Sequence, residues 1–527
     1  MFAAPQVAGL DAPTQKLLTD LINLWRKKRD RNFVRAQYLD GKNLLKDLDI
    51  AIPPSMKDVE VAVGWPEKAV YGLAHRCMYD GLVAPDGSDD PFELRSLLRD
   101  NRFDIELPQA IASALAQSVS FVTTTPGDAS AGEPPVVVMM HSAMWATGLW
   151  SRTKRALDAG LLINDVDDLE RPTQFTILTA QEFIVCTLGP RGWYAEDVIP
   201  HALGRVPMEA LPYRPTLDRP MGRSRISRKV MSITDRAVRT ALRMEVAAEL
   251  FSAPKFLLLG ANEEAFLDGN GNPIPLWSWY LGRMNAISRD EEGEVPELEK
   301  ISAESPEPHV AMMRQLAAEF AGETSIPLSS LGIVQDNPAS AEAIFAGRED
   351  LVIEATNTNR VFGAALARVM QNAVLLRDGG SAQGMPDELQ QLSIKWRNPA
   401  LPSVVTSSDA MVKQISAMPK IAETSVALEE LGYTDEQITR MEADWRRAGA
   451  GTRLDELVGL AREPGEEAAD EAEGLKAKFD ALGVAIRAGV DPVDAAARLG
   501  LGGIKFTGAV PAQLRMPTSE TAGLEEK

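Results

Sequence analysis

Residues 222–260 read GRSRISRKVMSITDRAVRTALRMEVAAELFSAPKFLLLG, and this stretch decides the organisation of the chain. Its apolar residues recur at steps of three and four, which places them on one face of a long helix. Ser224 is suited to cap the start, because a serine oxygen can accept a free N–H of the first turn. Pro254 would end the helix, since proline has no N–H and clashes with the preceding turn. The residues of the apolar face are Ile226, Val230, Ile233, Ala237, Ala241, Met244, Ala248 and Phe251.

The same stretch carries the largest charge anomaly of a chain whose net charge is −20. Between residues 223 and 243 there are seven basic side chains and one acid, Asp235. Charged helix faces are usually solvated, and that is the ordinary interpretation of this one. The apolar face is rich in alanine, however, and a short β-like run at residues 256–259 follows directly. We therefore expect the helix to pack along its whole length against other helices.

Length and composition bound the class of protein. A chain of 527 residues exceeds one hydrophobic core, so roughly two to four domains are expected. Its apolar content of 45% and charged content of 25% are those of a soluble globular protein. The acidic balance disfavours a surface that binds nucleic acid non-specifically, because such binding needs basic patches.

The N-terminal residues lack a basic stretch followed by an apolar run, so no signal peptide is predicted. The most apolar window, residues 134–150, contains His141 and is too short to cross a bilayer. Cys77 and Cys186 are too few for a disulfide framework and are predicted to be buried thiols. The sequence thus predicts a protein without membrane segments that is made in the cytoplasm.

The first 220 residues predict an α+β domain. Helices are expected at residues 14–38, 66–79 and 107–118 from their apolar spacing. Residues 205–220 contain four prolines and predict an extended connection into the long helix. The rest of the chain is mostly helical, apart from a strand predicted at residues 390–397, so the expected fold class is α+β with a majority of helix. Short β-type runs are predicted at residues 120–124, 136–140, 174–178 and 182–187.

A small module is predicted between two helices that leave and return. Residues 255–309 differ in composition from the helix before them, and a second helix is expected at residues 308–320. A break rich in proline, glycine and serine separates it from a third long helix, residues 340–376. The pattern indicates a module carried on a helical stalk.

The sequence shows no pattern of an enzyme or of a strong metal site. It has no G-x-x-x-x-G-K-[ST] loop and no G-x-S-x-G elbow. DGNGNP at residues 268–273 imitates a calcium loop, but Pro273 replaces the glycine and Trp279 replaces the bidentate glutamate. His75 and Cys77 are close in sequence, which is weak spacing for a metal. We therefore predict a structural protein without catalytic residues, cofactor or metal.

Several motifs are similar to those of portal proteins of tailed bacteriophages, and in the same order. The chain resembles this family, in particular the portals of phages that infect actinobacteria, over residues 17–445. The collinear set carries the resemblance, since each motif alone is weak. The motifs are PMGRSRIS at 220–227, IPLSSLG at 326–332, NPASAEAI at 337–344, YLDGK at 38–42, GWP at 64–66, HALGRVP at 201–207, KWRNP at 395–399 and SDA at 408–410.

The resemblance implies a portal fold with wing, helical stem, clip and crown. It also implies a ring, usually of twelve subunits, at one capsid vertex of the virion, through which double-stranded DNA is packaged and ejected. The large terminase motor, then the head-tail adaptor, and the major capsid and scaffolding proteins would be partners. In chain order the parts are the wing (1–222), stem helix 1 (223–253), clip (254–307), stem helix 2 (308–323), tunnel loop (324–339), long wing helix (340–384), crown (385–465), and an acidic linker with the C-terminal segment (466–527).

The basic helix face is predicted to lie at the interface between ring subunits. A ring of identical chains joins head to tail through two different surfaces, so opposite charges on different helices can meet. A guanidinium fork pairs well with a carboxylate across such a seam. The predicted interface residues are Arg228, Arg236, Arg239 and Arg243, with Glu319 and Glu323 of the returning helix.

Two further segments are predicted to meet DNA or partner proteins. The tunnel loop has one charge, so it should touch DNA through steric and polar contacts, with Gln335, Asp336 and Asn337 nearest the axis. Aromatic side chains of the clip are suited to anchor the motor and the adaptor. These are Trp277, Trp279 and Tyr280.

Two other classes of protein remain open on these observations: a minor capsid or scaffold protein without a channel, and an unrecognised DNA-dependent enzyme. A closed ring with an axial hole would distinguish a portal from the first, and nuclease or ATPase turnover would indicate the second. The acidic arm, residues 290–307, has eight acids and one base. It is equally well interpreted as a wall that repels DNA and as a solvated loop.

Overall fold

The computed structural model describes residues 3–42, 61–85, 88, 90–251, 255–259, 297–301, 305–333, 347–400, 404–434, 437–447, 478–486 and 491–501. The chain divides into two compact units, Met1–Ala410 and Met411–Lys527. The first unit combines helices with sheets, and the described part of the second is helical. The predicted mixture of helix and strand, with more helix than strand, is therefore confirmed.

The first unit alternates long helices with short strands. Its helices are α1 (Ala12–Leu39), α2 (Trp65–Ala74), α3 (Leu94–Asp100), α4 (Phe103–Gln117), α5 (Arg228–Phe251), α6 (Glu307–Thr324), α7 (Glu349–Asp378) and α8 (Asp387–Gln390). Its strands are β1 (Val7–Ala8), β2 (Tyr79–Val83), β3 (Val119–Pro126), β4 (Val136–Ser142), β5 (Ala146–Ser151), β6 (Ala156–Val166), β7 (Pro172–Leu178), β8 (Glu182–Gly189), β9 (Gly192–Pro200), β10 (Met208–Pro212), β11 (Lys255–Leu259), β12 (Glu297–Ile301) and β13 (Ser393–Trp396).

The largest sheet has six strands in the order β1-β9-β8-β7-β6-β5. Its neighbours are antiparallel, except that β1 runs parallel to β9. Helix α1 packs on this sheet, with Ile22 and Trp25 buried in one cluster with Phe175 and Ile177 of β7. Residues two apart in a strand point to the same face, which is why positions 175 and 177 share this cluster.

A three-stranded antiparallel sheet, β10-β3-β4, lies between the six-stranded sheet and the helices. Val122 of β3 is buried in the cluster that contains α4 and α7. The adjacent Phe121 is buried in a second cluster with Leu162 and Leu178 of the six-stranded sheet. Because both faces are covered, β3 is apolar or buried along most of its length instead of alternating with exposed polar residues.

Two small sheets connect distant parts of the sequence. Strand β13, which the sequence predicted, pairs antiparallel with β2, and α7 passes close to it. Strands β11 and β12 pair antiparallel, so the two ends of the inserted module lie side by side. This pairing confirms the predicted β-like run at residues 256–259.

The predictions for the first unit differ from the structure in three respects. The helix expected at residues 66–79 ends at Ala74, and its last predicted residue begins β2. The extended connection at residues 205–220 contains β10, which completes the three-stranded sheet. Strands β5, β6 and β9 were not predicted; β6 is buried at five successive positions, and such a run lacks the two-residue alternation of a half-buried strand.

The described part of the second unit consists of short helices. An apolar cluster of Leu482, Ala495, Ala496 and Leu501 joins two of them. In the part of the chain that the structure describes, no helix is both long and apolar enough to cross a membrane. The helices, with one that begins in the first unit, are α9 (Val404–Ala417), α10 (Ser425–Glu430), α11 (residues 437–447), α12 (residues 478–486) and α13 (Pro492–Arg498).

Candidate assembly and channel site

Helices α5 and α6 pack together and against α2. The predicted apolar face of α5 is buried at Val230, Ile233 and Ala237. From α6, Phe320 is fully buried, and its ring centroid lies 5.4 Å from that of Trp65 in α2. The prediction that this basic helix packs against other helices is therefore confirmed for its first half.

Helix α5 begins at Arg228, later than the predicted start near residue 223. The predicted cap is wrong, because the Ser224 hydroxyl is buried and donates to the carbonyl of Ala116. Ser227 takes that role, since its Oγ accepts the N–H of Val230 at 3.2 Å. The residues just before the helix thus bind to the body of the unit instead of forming its first turn.

Two ion pairs join α5 to α6 within one chain. Arg236 Nη1 lies 2.8 Å from Glu319 Oε2, and Lys229 Nζ lies 3.1 Å from Glu323 Oε2. The partner numbers rise along α5 while they fall along α6, so the two helices run antiparallel. All four side chains are partly exposed, so each pair adds at most about 1 kcal/mol to stability.

The other predicted interface cations have no such partner in the part of the chain that the structure describes. Among the described residues, no ion pair involves Arg228, Arg239 or Arg243. Arg228 is exposed, and the other two are partly buried. The one acid of this basic stretch, Asp235, accepts hydrogen bonds of 2.8 and 2.9 Å from the Tyr38 hydroxyl of α1. The assignment of these cations to a subunit interface stays a prediction.

The Arg225 side chain is buried and joins four parts of the first unit. Its guanidinium donates to the carbonyl of Ala69 in α2 and to that of Thr324, the last residue of α6. Its Nη1 donates to the Tyr213 hydroxyl at 2.8 Å and lies 2.7 Å from a carboxylate oxygen of Glu354 in α7. The Tyr213 hydroxyl donates in turn to Glu354. We call these five residues the Arg225 cluster.

Burial and charge together set the ionisation of this cluster. Burial favours the neutral guanidinium, but attraction by Tyr213 and Glu354 outweighs it, and the pKa of Arg225 lies above its usual value. Burial raises the pKa of the Tyr213 hydroxyl to about 12, so this group stays protonated and can donate. Burial also raises the pKa of the nearby Cys77 thiol to about 12, which leaves it unreactive at neutral pH.

The cluster was not predicted from the sequence. Arg225 was counted only among the basic side chains between residues 223 and 243, and Tyr213 and Glu354 were given no role. One weak indication was present in the sequence. Arg225 directly precedes Ile226, the first residue of the apolar face, so the Arg225 backbone lies next to the core.

The first part of the predicted tunnel loop is described by the structure. Ser325 has a left-handed φ of 54°, which turns the chain away from the end of α6. Ile326 is buried, and Leu328–Leu331 forms a single 3₁₀ turn. The residues predicted to lie nearest the axis are outside the described residues: Gln335, Asp336 and Asn337.

The structure describes the two ends of the predicted clip. Register runs from Lys255 opposite Ile301 to Leu259 opposite Glu297, so residues 297–301 of the acidic arm form a β-strand. The predicted anchoring side chains lie outside the described residues: Trp277, Trp279 and Tyr280.

Metal ligands are not clustered in the described ranges, where no three histidine, cysteine or acidic side chains are arranged to hold an ion. Cys77 and Cys186 are both buried and free, which confirms the prediction of buried thiols.

The chain is similar over most of its length to one class of protein, the portal proteins of bacteriophages. It is 26% identical over 431 residues to the portal protein of Mycobacterium phage L5, across 79% of this chain and 86% of that relative. It is 27% identical over 425 residues to the portal protein of Mycobacterium phage D29, across 79% and 86% respectively. The resemblance that the motifs predicted is therefore confirmed, although no family model matches the sequence.

Among solved structures, the chain is similar to a chain in the virion of a native gene transfer agent particle. The TM-score is 0.36 and the identity 14%, across 67% of this chain and 85% of the other. The neck of the native particle, computed with C12 symmetry, gives a TM-score of 0.36 at 13% identity, again across 67% and 85%.

Proposed function

We propose that this chain is the portal subunit of a tailed phage, which forms the DNA channel at one capsid vertex through which the genome is packaged and ejected. The observation that carries the proposal is the similarity to two phage portal proteins over 79% of the chain. Because the match also spans 86% of each relative, it concerns the whole architecture and not one shared domain. The role is structural and requires no catalytic residue.

The proposed assembly is a ring of twelve identical chains, joined head to tail. Arg228, Arg239 and Arg243 are suited to the seam, because no acid among the described residues pairs with them. Arg236 supports the seam indirectly, by fixing α6 beside α5 through Glu319. Glu323 binds Lys229 and accepts a hydrogen bond from Ser227 in its own chain, and its partly exposed carboxylate can also face a neighbour.

The parts of a portal map onto the structure as follows in our proposal. Helices α5 and α6 form the stem, and the module between them, which begins and ends with β11 and β12, forms the clip. The two sheets with α1, α4 and α7 form the wing. The crown is proposed at residues 385–465; its β13 pairs with β2, and the first compact unit extends to Ala410.

The proposed partners follow from this arrangement. Double-stranded DNA passes the tunnel loop at residues 324–339, and the clip binds the large terminase and later the head-tail adaptor. The wing contacts the major capsid and scaffolding proteins. The protein is then a virion component at the portal vertex, made in the host cytoplasm.

Native mass spectrometry and negative-stain images of the purified chain test the proposal. We expect a closed ring with an axial hole and a mass of about twelve subunits of 57.2 kDa. Monomers, or assemblies without a hole, would instead indicate a minor capsid or scaffold protein. Nuclease turnover, or ATPase turnover stimulated by DNA, would indicate the enzymatic alternative.

A further inference from the structure

The Arg225 cluster lies where one segment leaves the body of the first unit and returns to it. Helix α6 ends at Thr324 and α7 begins at Glu349, so residues 325–348 connect the two helices. The Arg225 guanidinium donates to the Thr324 carbonyl, on the side where the segment leaves. It also pairs with Glu354, in the second turn of α7, on the side where the segment returns.

The geometry of these contacts is directional. The planar guanidinium presents its donors in fixed directions, so it can hold two backbone carbonyls and a carboxylate only in one relative arrangement. Tyr213 bridges its two charged partners, which leaves the Glu354 carboxylate bonded from two sides. Arg214 approaches the same carboxylate at 3.5 Å from the outside.

A merely stabilising role explains this arrangement poorly. Replacing a buried ion pair by well-packed apolar side chains is often neutral or favourable, so stability alone gives little reason for charge in this position. The side chains of Arg225 and Glu354 keep only 3% and 9% of their exposure. What the pair provides, and an apolar contact cannot, is a fixed orientation of three helix ends.

We propose that Arg225, Glu354 and Tyr213 are positioning residues that clamp the two ends of the 325–348 segment to the base of α5. The clamp fixes the direction in which residues 325–333 leave α6. This inference rests on the proposed portal function, in which that segment lines the channel, and the clamp then sets how the tunnel loop meets DNA.

Distances between two spin labels in the full-length chain test the clamp. One label is placed through Ser329→Cys, in the exposed part of the 3₁₀ turn, and the other through Ala364→Cys, on the exposed face of α7. The two natural thiols are buried and will not compete for the label. The clamp is opened by Glu354→Gln, which keeps the shape of the side chain and removes its charge.

The matched control is Glu319→Gln, which removes the carboxylate of the half-exposed pair between α5 and α6 and leaves the cluster intact. We expect Glu354→Gln to widen the distance distribution about twofold, through local opening of the segment, and the control to leave it unchanged. Should Glu354→Gln fail to fold, Tyr213→Phe removes only the bridging hydroxyl and should widen the distribution by a smaller amount.

An unchanged distribution in Glu354→Gln would overturn the clamp, whatever happens to the melting temperature. Equal widening in the control would also overturn it, because the effect would then be a general loosening of the helices. Labelled chains are mixed with an excess of unlabelled parent chains before assembly, so that the distance within one chain is measured even in a ring. If the parent protein fails to form rings, the portal function fails, while the same labels still report on the clamp.

Discussion

Phe320 anchors the returning helix, and its replacement by alanine should detach that helix from the body of the first unit. Helix α6 buries four of its side chains, Leu316, Ala317, Phe320 and Thr324, and Phe320 is the largest. Its ring is fully buried and packs against Trp65 with centroids 5.4 Å apart. The contact therefore attaches α6 to α2 through a fully buried aromatic ring.

The cost of Phe320→Ala follows from that burial. Removing a fully buried phenylalanine side chain costs about 3–5 kcal/mol, and the loss of the ring pair with Trp65 places this site near the middle of the range. A cost of about 4 kcal/mol is a large fraction of the stability of an ordinary domain. It corresponds to about a thousandfold change in an opening equilibrium.

Hydrogen exchange followed by mass spectrometry measures the opening equilibrium of α6, and urea unfolding measures the loss of stability. We expect α6 amides to exchange up to about a thousandfold faster in Phe320→Ala, while α1 and the six-stranded sheet change less. Met312→Ala is the matched control, since Met312 lies on the same helix and is 37% exposed. It should change stability by less than about 0.5 kcal/mol. A loss below about 1 kcal/mol in Phe320→Ala, or equal acceleration in the distant sheet, would refute the reasoning.

Four further predictions concern assembly, pH and the channel. Replacing Arg236 and Arg239 together by glutamate should lower the yield of rings, measured by native mass spectrometry; normal yield would remove the basic face from the seam. Burial lowers the pKa of His141 from 6.5 to about 4, so the unfolded chain binds a proton where the folded chain does not. The free energy of unfolding should therefore decrease by up to about 3 kcal/mol as the pH is lowered from 6.5 to about 4. His141→Gln should flatten this pH dependence, measured as the urea midpoint at each pH. Deleting residues 262–305 should leave the wing folded by circular dichroism and abolish binding of the adaptor; unaltered binding would exclude the clip as the docking surface. Shortening the loop at residues 324–339 should reduce the DNA retained in particles, and retention equal to that of the parent would remove the loop from the channel.

Local periodicity predicted the parts of this fold that follow from one segment at a time. The long helices, the inserted module and β13 were predicted because apolar spacing, proline and glycine act within a few residues. Strand β9 was missed, since most of its residues are exposed and it owes its conformation to pairing with β8 and β1. The residue at which a helix starts also depends on tertiary contacts. Ser224 could cap a helix, but its hydroxyl instead donates to the carbonyl of Ala116.

The candidate site was less predictable than the fold because its contacts join distant positions. The contacts of Arg225 with Tyr213 and Glu354 form only when the segment before α5, the end of the three-stranded sheet and α7 pack together. No local spacing in the sequence predicts such contacts. The positive charge of the helix face follows from its composition, but which of its cations find partners in their own chain depends on how α6 packs beside α5.

The basic residues of α5 are of two kinds: some pair with an acid of their own chain, and others do not among the described residues. The two kinds should respond differently when their charge is reversed. Arg236 binds Glu319 in its own chain, so exchanging both charges, Arg236→Glu with Glu319→Arg, should restore the pair and leave ring yield close to that of the parent. Arg239 has no acidic partner among the described residues, so Arg239→Glu alone should lower the yield, and Glu319→Arg should not restore it. Assembly of both variants at equal yield would mean that Arg239 does not reach a neighbouring subunit. Because each exposed pair is worth only about 1 kcal/mol, the loss becomes measurable through its repetition around the ring.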